Sequence, residues 1–163
     1  MVIVVMGVAG TGKTTVGRAI AAQLGAPFLD GDDRHPHANV EKMRAGIPLT
    51  DADREPWLAS LHAAVAHAIA RRESLIVACS ALKRRYRTAL RGDCRGVRFV
   101  YLKAADAELT RRLTNRRDHF AGPELLASQR EALEEPDADE ALAIDATWPP
   151  DKIIAFIRRE FGL

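Results

Sequence analysis

The feature that most constrains this chain is a glycine-rich segment near its start. Residues 7–14 read GVAGTGKT, which fits the pattern G-x-x-x-x-G-K-[ST] without adjustment. The segment follows a continuous apolar run, Val2–Met6, and precedes a stretch in which Val16, Ile20 and Leu24 recur every four residues. Such a run is typical of a parallel strand buried on both faces, and the fourfold spacing predicts a helix. The chain is therefore expected to begin with a strand, a phosphate-binding loop (P-loop) and a helix.

This loop has the chemistry to hold a nucleoside triphosphate. Glycine residues allow consecutive backbone N–H groups to surround a phosphate chain, and the N-terminus of the following helix adds partial positive charge. Lys13 can place its ammonium group against the β- and γ-phosphates, and the Thr14 hydroxyl can coordinate Mg²⁺. Lys13 is therefore also predicted to be catalytic. The predicted nucleotide-binding residues here are Gly7, Val8, Ala9, Gly10, Thr11, Gly12, Lys13, Thr14 and Thr15.

Short β-branched runs alternate with helical stretches along the rest of the chain. Further strands are predicted at 27–29, 74–78, 97–102 and 142–144, and further helices at 56–72, 83–91, 105–117 and from Pro149 onward. Strict alternation implies parallel strands joined by right-handed crossovers. The expected fold class is α/β, a three-layer α/β/α sandwich around a predominantly parallel five-stranded sheet. The length favours a single domain over residues 1–163.

Composition argues against several other classes of protein. The net charge of +2 comes from 24 basic and 22 acidic side chains, a balance that favours neither a nucleic acid nor a membrane surface as partner. No apolar run approaches the roughly 20 residues that a membrane span requires. Cys79 and Cys94 lack the spacing of a disulfide framework or a metal site. Because the N-terminus also lacks a basic leader, a cytoplasmic location is expected.

Two acidic residues follow the second predicted strand. Asp30 and Asp32 come directly after Phe28 and Leu29, and ligands of open α/β sheets lie beyond the carboxyl ends of the strands. A carboxylate there can accept the proton of an attacking hydroxyl group or hold Mg²⁺ through water. Asp32 is therefore predicted to be catalytic and to bind the acceptor, and Asp30 to bind the metal through water. An Asp-rich turn or a helix cap is the alternative interpretation.

The order of strand, P-loop, helix, strand and Asp-x-Asp looks like the shikimate and nucleoside-monophosphate kinase group. More narrowly, the chain resembles the bacterial ATP-dependent gluconokinase family from Met6 to about Pro136. The positions that carry this resemblance are 30–32, His35, Pro36, Asn39, Lys42, Met43, 46–49, Asp51, Asp53, Arg54, 56–58, 79–84, Tyr86, Arg87, His119, Phe120 and 133–136. The resemblance implies Mg²⁺-dependent transfer of the γ-phosphoryl group of ATP to the 6-hydroxyl of D-gluconate, giving 6-phospho-D-gluconate. It also hints at a homodimer, and we place the acceptor-binding region at about 35–72.

A gluconate pocket needs cations for the carboxylate, and carbonyl, carboxylate or hydroxyl groups for the alcohols. Arg54, Lys83 and Arg87 are the predicted cations, and the last two can converge because they lie one turn apart on a predicted helix. Ser80 could bond a substrate hydroxyl, and His35 could contact the substrate or a phosphate. A solvated helix surface is the alternative for each cation.

Arg112 and Arg116 lie one turn apart in the helix after the fourth predicted strand. In the kinases that this chain resembles, this position leads into a lid whose arginines reach the phosphates and adenine. The resemblance thus implies a short lid at about 112–124, with both arginines binding nucleotide and Arg116 also catalytic. Adenine would rest between Arg116 and the turn at Trp148 and Pro149, which makes Pro149 a nucleotide-binding candidate. Exterior arginines and a proline at a helix start are the alternatives.

Three other functions stay open at this point. A shikimate or nucleoside-monophosphate kinase shares everything up to Asp32 and differs in the segments 54–57 and 80–87. A non-catalytic ATP-binding module would consume no ATP with any acceptor. A nucleic-acid-modifying kinase would favour a stronger basic balance than +2.

Overall fold

The computed structural model describes residues 1–114 and 123–163, with side chains described for 1–114 and 125–163. In these residues five strands form one sheet in the order β2-β3-β1-β4-β5, and every strand pair is parallel. The strands are β1 Val2–Met6, β2 Phe28–Asp30, β3 Leu75–Ala78, β4 Val97–Lys103 and β5 Ala141–Asp145. The predicted five-stranded parallel sheet is therefore confirmed.

Seven α-helices lie in the described residues, together with a short 3-10 turn at Gly31–Arg34. They are α1 Lys13–Leu24, α2 His37–Arg44, α3 Asp51–Ala70, α4 Arg84–Arg91, α5 Asp106–Thr114, α6 Pro123–Ala132 and α7 Pro150–Phe161. One hydrophobic core packs α1, α5, α6 and α7 against the sheet, and a second packs α3 and α4. These two cores are the helix–sheet contacts of a three-layer α/β/α sandwich. None of the helices described is both long and apolar enough to cross a bilayer.

The central strand β1 is buried along its whole length because it lies between β3 and β4. Successive side chains of a strand point to opposite faces. Accordingly Ile3 and Val5 join one core, whereas Val2, Val4 and Met6 join the other. The segment after Met6 therefore leaves the middle of the sheet at its carboxyl edge, where open parallel sheets bind their ligands.

The structure differs from the sequence prediction in three helices. Helix α3 begins at Asp51 and not near residue 56, because Thr50 and Asp53 form a capping box ahead of it. Helices α2 and α6 were not predicted. Both α2 and α6 contribute walls to a cleft at the carboxyl edge of the sheet.

Candidate active site

A cleft of about 1430 Å³ opens at the carboxyl edge of the sheet. Its walls come from the P-loop, the ends of β2 and β3, the segment that joins α2 to α3, and helix α6. The predicted site residues that line it are Ala9, Gly10, Gly12, Lys13, Thr14, Asp30, Asp32, His35, Arg54, Ser80 and Lys83. The cleft thus brings residues expected to bind nucleotide together with residues expected to bind an acceptor.

The backbone of the P-loop requires glycine at two positions in particular. Gly7 has φ +142°, and a Cβ atom there would lie 2.5 Å from the carbonyl oxygen of Leu102. Gly12 has φ +89° and caps α1 without a side-chain hydrogen bond. No acidic side chain stands in the first turn of α1, so the partial positive charge of the helix N-terminus is not neutralised there. This geometry is that of an anion-binding loop.

Other residues of the loop hold it in shape. Val8 and Thr11 are buried, and the Thr11 hydroxyl donates to the Val8 carbonyl at 2.9 Å. The ammonium group of Lys13 donates to the same carbonyl oxygen at 3.1 Å. Lys13 therefore bends back over the loop, which carries its charge above the N–H groups that would hold a phosphate chain.

The end of β2 supplies oxygen atoms next to the P-loop. The Thr14 hydroxyl donates to Asp30 Oδ2 at 3.0 Å, and Asp30 Oδ1 accepts from the backbone N–H of Asp32 at 3.2 Å. In the described residues no group of three or more His, Cys, Asp or Glu side chains could hold a metal ion by itself. Mg²⁺ suits this arrangement, because it takes one or two protein oxygens and completes its shell with phosphates and water.

Asp32 lies in the 3-10 turn and lines the cleft. Enclosure by the cleft raises the pKa of its carboxyl group above the usual value, the charge of Lys13 lowers it, and Asp30 and Asp33 raise it further. A carboxylate whose pKa is raised is a stronger base than an ordinary aspartate. Asp32 is therefore suited to accept a proton from a hydroxyl group in the cleft.

His35 packs flat against an indole ring beside Asp32. Its ring stacks on Trp57 with 4.4 Å between centroids, and Trp57 Nε1 donates to the Gly31 carbonyl at 2.7 Å. Burial, together with the charge of Arg54, lowers the pKa of His35 to about 4. The imidazole is therefore neutral at physiological pH and can hydrogen-bond a substrate hydroxyl group without adding charge.

Two of the three predicted cations stand in the cleft, and each is held by neighbouring groups. Arg54 donates to the Leu49 carbonyl at 2.7 Å and lies 5.7 Å from the Tyr86 ring. Lys83 is the N-cap residue of α4 and pairs with Asp51 at 3.0 Å. Because both side chains line the same cleft, they can approach one anionic group from two sides.

Asp51 is a cleft residue that carried the family resemblance but had no predicted role. Its carboxylate accepts from Lys83 and from the Tyr86 hydroxyl, and it also pairs with Arg85. The partners lie 32 to 35 positions away in the sequence. No local spacing could have indicated this cluster, because it forms only when α3 packs against α4.

The structure corrects the expectation for Arg87. Its side chain is only 1% exposed and does not line the cleft. The guanidinium donates to both carboxylate oxygens of Glu140, at 2.7 and 3.0 Å, and to the carbonyls of Leu82 and Glu134, each at 2.9 Å. Lys83 precedes α4 and Arg87 lies inside it, so the two cations do not converge as the sequence suggested. Arg87 stabilises the fold behind the cleft.

A second cavity of about 440 Å³ lies on the other side of the P-loop. Thr15, Arg112 and Trp148 line it, and the Arg112 guanidinium donates to the Ala146 carbonyl at 2.9 Å. Pro150 lines this cavity, and the predicted Pro149, which is the N-cap residue of α7, does not. The other predictions for this region, Arg116, His119 and most of the lid at 112–124, lie outside the described residues.

Helix α6 adds a residue that the sequence did not suggest. Gln129 Oε1 accepts a hydrogen bond from the backbone N–H of Ala9, with 2.6 Å between the two heavy atoms. The two residues are 120 positions apart, so neither the P-loop motif nor the pattern around Gln129 could have indicated their contact.

Comparison with known proteins agrees with this arrangement. The family model for the AAA domain matches residues 2–136. The gluconokinase of Gluconobacter oxydans (strain 621H) is 46% identical over 160 residues, which are 98% of this chain and 90% of that protein. The thermoresistant gluconokinase of Escherichia coli (strain K12) is 46% identical over 155 residues, 93% of this chain and 88% of that protein.

Solved structures give the same result for the fold. A gluconokinase from Sinorhizobium meliloti 1021 is 43% identical and covers 98% of this chain and 94% of its own, with a TM-score of 0.82. A shikimate kinase from Bacteroides thetaiotaomicron is 20% identical, with a TM-score of 0.69 over 100% of this chain and 99% of its own. At that identity only the fold is shared. The similarity to the gluconokinases spans both the P-loop and the opposite wall of the cleft.

Proposed function

The chain belongs to the gluconokinase family and carries the AAA domain, and from that premise we propose that it transfers the γ-phosphoryl group of ATP to the 6-hydroxyl of D-gluconate. The observation that carries the proposal is the cleft itself. One of its walls is a phosphate-binding loop with Lys13, and another holds Asp32 beside the cations Arg54 and Lys83. A phosphoryl donor and an anionic polyol can therefore meet in one enclosed space.

The nucleotide would be held by the backbone of the P-loop and by Lys13, with Thr15 and Arg112 on the adenine side. Thr14 would bind Mg²⁺ directly and Asp30 through water, an arrangement supported by their mutual hydrogen bond of 3.0 Å. When bound, the metal ion supplies positive charge that neutralises the phosphates. Arg116 stays a predicted lid contact, because it lies outside the described residues.

The acceptor would lie against the opposite wall. Arg54 and Lys83 would bind the gluconate carboxylate, and Ser80 and the neutral His35 would hydrogen-bond its hydroxyl groups. Their positions along the cleft support these assignments. They fall partly within the acceptor-binding region proposed at about 35–72, while Ser80 and Lys83 come from the segment after β3.

Asp32 would accept the proton of the 6-hydroxyl as the hydroxyl oxygen forms its bond to the γ-phosphorus. The bond from that phosphorus to the β,γ-bridging oxygen breaks at the same time, and ADP leaves with the electron pair. Lys13 would stabilise the negative charge that is shared over the transferring group. No phosphoenzyme is needed, because donor and acceptor occupy the same cleft.

A coupled assay of ADP release tests the proposal. The protein is offered D-gluconate, shikimate and nucleoside monophosphates, and we expect turnover with D-gluconate. Asp32→Asn should lower that turnover by about 10²–10⁴-fold while ATP affinity stays within twofold. Its matched control is Asp33→Asn, because Asp33 belongs to the same 3-10 turn and does not line the cleft. Turnover with shikimate or a nucleoside monophosphate instead of D-gluconate would overturn the proposed acceptor. Absence of ATP turnover with every acceptor would indicate a non-catalytic ATP-binding module.

The pKa of Asp32 adds a pH test with a definite sign. The carboxyl group must be ionised to accept a proton, so kcat/KM should fall in acid, with a midpoint above the ordinary aspartate value. Because folding raises this pKa, the ionised carboxylate costs stability at neutral pH, and that cost disappears as the pH falls. Asp32→Asn should therefore raise Tm at pH 7. A lower Tm for this variant would contradict the assigned environment.

The homodimer that the family resemblance implies stays a prediction, as does the single domain over residues 1–163. Size-exclusion chromatography with light scattering would test the first.

A further inference from the structure

A side-chain amide from a distant helix occupies one backbone N–H of the P-loop. The Ala9 N–H donates to Gln129 Oε1 at 2.6 Å, a short and part-buried hydrogen bond. A P-loop binds anions through N–H groups of this kind. The contact therefore bears directly on how the loop receives a phosphate chain.

The direction of this hydrogen bond fixes the orientation of the Gln129 amide. A backbone N–H only donates, so the atom that faces Ala9 is the amide oxygen, and the NH₂ group lies on the other side of the amide carbon. Gln129 lines the same cleft as Lys13 and Asp32. Within the described part of the chain, Gln129 Nε2 donates no hydrogen bond. No described residue therefore competes for these N–H groups with an acceptor in the cleft.

Contacts of neighbouring residues in helix α6 fix the position of Gln129. Leu126 is 4% exposed and belongs to the core that also packs α1 and α5. Arg130 donates to the Ala104 carbonyl at 2.6 Å and pairs with Asp106. Contacts on both sides of Gln129 thus attach this helix to the end of β4 and the start of α5, so the amide is presented from a fixed base.

The position of Gln129 along the P-loop indicates which phosphate it can meet. Ala9 directly follows Val8, whose carbonyl accepts from the ammonium group of Lys13 at 3.1 Å. The P-loop lysine is the residue that reaches the β- and γ-phosphates. For in-line transfer, the γ-phosphoryl group must also face Asp32, which lines the same cleft. Gln129 therefore stands at the γ-phosphate end of the loop.

We propose that Gln129 binds the γ-phosphoryl group through Nε2 while Oε1 stays on the Ala9 N–H, so that this residue discriminates ATP from ADP. The inference rests on the proposed function, because it takes ATP as the phosphoryl donor. A neutral amide adds a hydrogen bond to one phosphoryl oxygen without adding a further charge to the loop.

Two variants separate phosphate binding from support of the loop. Gln129→Ala removes both hydrogen bonds. Gln129→Glu keeps an oxygen acceptor for the Ala9 N–H and replaces the NH₂ donor with a second oxygen. Calorimetry with Mg²⁺ and no acceptor measures the Kd of ADP and of the non-hydrolysable β,γ-imido analogue of ATP. Gln23→Ala is the matched control, because Gln23 is exposed on the outer surface of α1.

We expect Gln129→Ala to weaken the ATP analogue at least tenfold and ADP less than twofold, since one hydrogen bond to a charged group is lost. Gln129→Glu should weaken the analogue further, because a carboxylate would face the phosphoryl oxygens. An equal loss for both nucleotides would overturn the proposal by reducing Gln129 to a support of the loop, and so would unchanged affinities.

The wild-type protein separates this test from that of the proposed function. If it binds neither nucleotide, or fails to phosphorylate D-gluconate, the proposed function is wrong. If the wild-type protein is active and Gln129→Glu changes the affinities for ADP and for the ATP analogue equally, only the proposed role of Gln129 is wrong. Circular dichroism melting of each variant checks that it is folded.

Discussion

The two sides of the cleft are built in different ways. The proposed nucleotide side comes mainly from one continuous segment, residues 7–15, and it presents backbone N–H groups and a helix N-terminus. The acceptor side is made of side chains from β2, α3 and the start of α4, and its central ion pair joins residues 32 positions apart. A backbone site is therefore encoded locally, whereas a side-chain site depends on how distant elements pack.

This contrast also separates what a substitution should change. A substitution on the nucleotide side should affect turnover with every acceptor. One on the acceptor side should change the KM for gluconate, and one behind the cleft should change only stability. Substitutions of Lys13, Arg87 and Asp51 test this division.

The largest effect is expected on the nucleotide side, for Lys13→Ala. Loss of the ammonium group should reduce kcat by about 10³-fold, because it removes a charge that stabilises the transferring phosphoryl group. Steady-state kinetics with D-gluconate measure the loss. Lys103→Ala is a matched control, since Lys103 is exposed and pairs with Glu135 on the surface. Retention of full turnover by Lys13→Ala would refute the P-loop as the phosphate site.

The second largest effect is expected for Arg87→Ala, a substitution behind the cleft that should lower stability. This change leaves Glu140 and the carbonyls of Leu82 and Glu134 without a buried partner. The free energy of unfolding should fall by about 3 kcal/mol, a typical loss when one member of a buried ion pair is removed. Urea unfolding measures the change, and Arg87→Lys, which keeps the charge without the planar fork, should lose less.

Kinetic measurements on Arg87→Ala can contradict the distinction between the acceptor side and the residues behind the cleft. If the KM for gluconate rises while the stability of Arg87→Ala stays that of the wild type, Arg87 binds substrate after all. The acceptor-binding residues would then include Arg87 of α4, although its side chain is buried in this structure.

The smallest effect is expected for a pair of aspartates at the start of α3. Asp51 pairs with Lys83, which lines the cleft, and accepts from the hydroxyl of the buried Tyr86, so Asp51→Asn should raise the KM for gluconate about tenfold and leave ATP affinity unchanged. Asp53 instead belongs to the capping box with Thr50 and pairs with Lys42. Asp53→Asn should lower Tm by a few degrees without changing that KM.

The pH dependence of stability gives a further test of the separate roles of Asp51 and Asp53. Hydrogen bonds from Lys42 and Thr50 lower the pKa of Asp53 to about 2. The stability it contributes is therefore complete above the ordinary aspartate pKa and disappears as the pH falls towards about 2. In thermal melts, the difference in Tm between the wild type and Asp53→Asn should therefore shrink as the pH falls over that range. A raised KM for Asp53→Asn, or an unchanged one for Asp51→Asn, would contradict the division of roles.

The fold could be predicted largely from the sequence because its signals are local. Buried β-branched runs and the amphipathic spacing of Val16, Ile20 and Leu24 report strands and helices directly. Helix α6 was not predicted, and in the structure its Leu126 is buried in one core with Leu109 and Leu113 of α5. The start of α3 was mispredicted although the capping pair Thr50 and Asp53 was present in the sequence.

The residues of the candidate site fall into two groups, those that the local sequence indicates and those that contacts between distant elements bring into place. Glycine in the P-loop, the lysine after it and the acids at the end of β2 are fixed by their place in a strand–loop–helix unit, so the sequence by itself predicted where a phosphate chain would bind. It could not determine the direction of side chains whose partners are far away. Only the tertiary structure turned Arg87 into the core, set Asp51 against Lys83 and brought Gln129 to the P-loop. The physical reason is that a backbone conformation follows from its own residues, whereas the role of a side chain is decided by what packs around it.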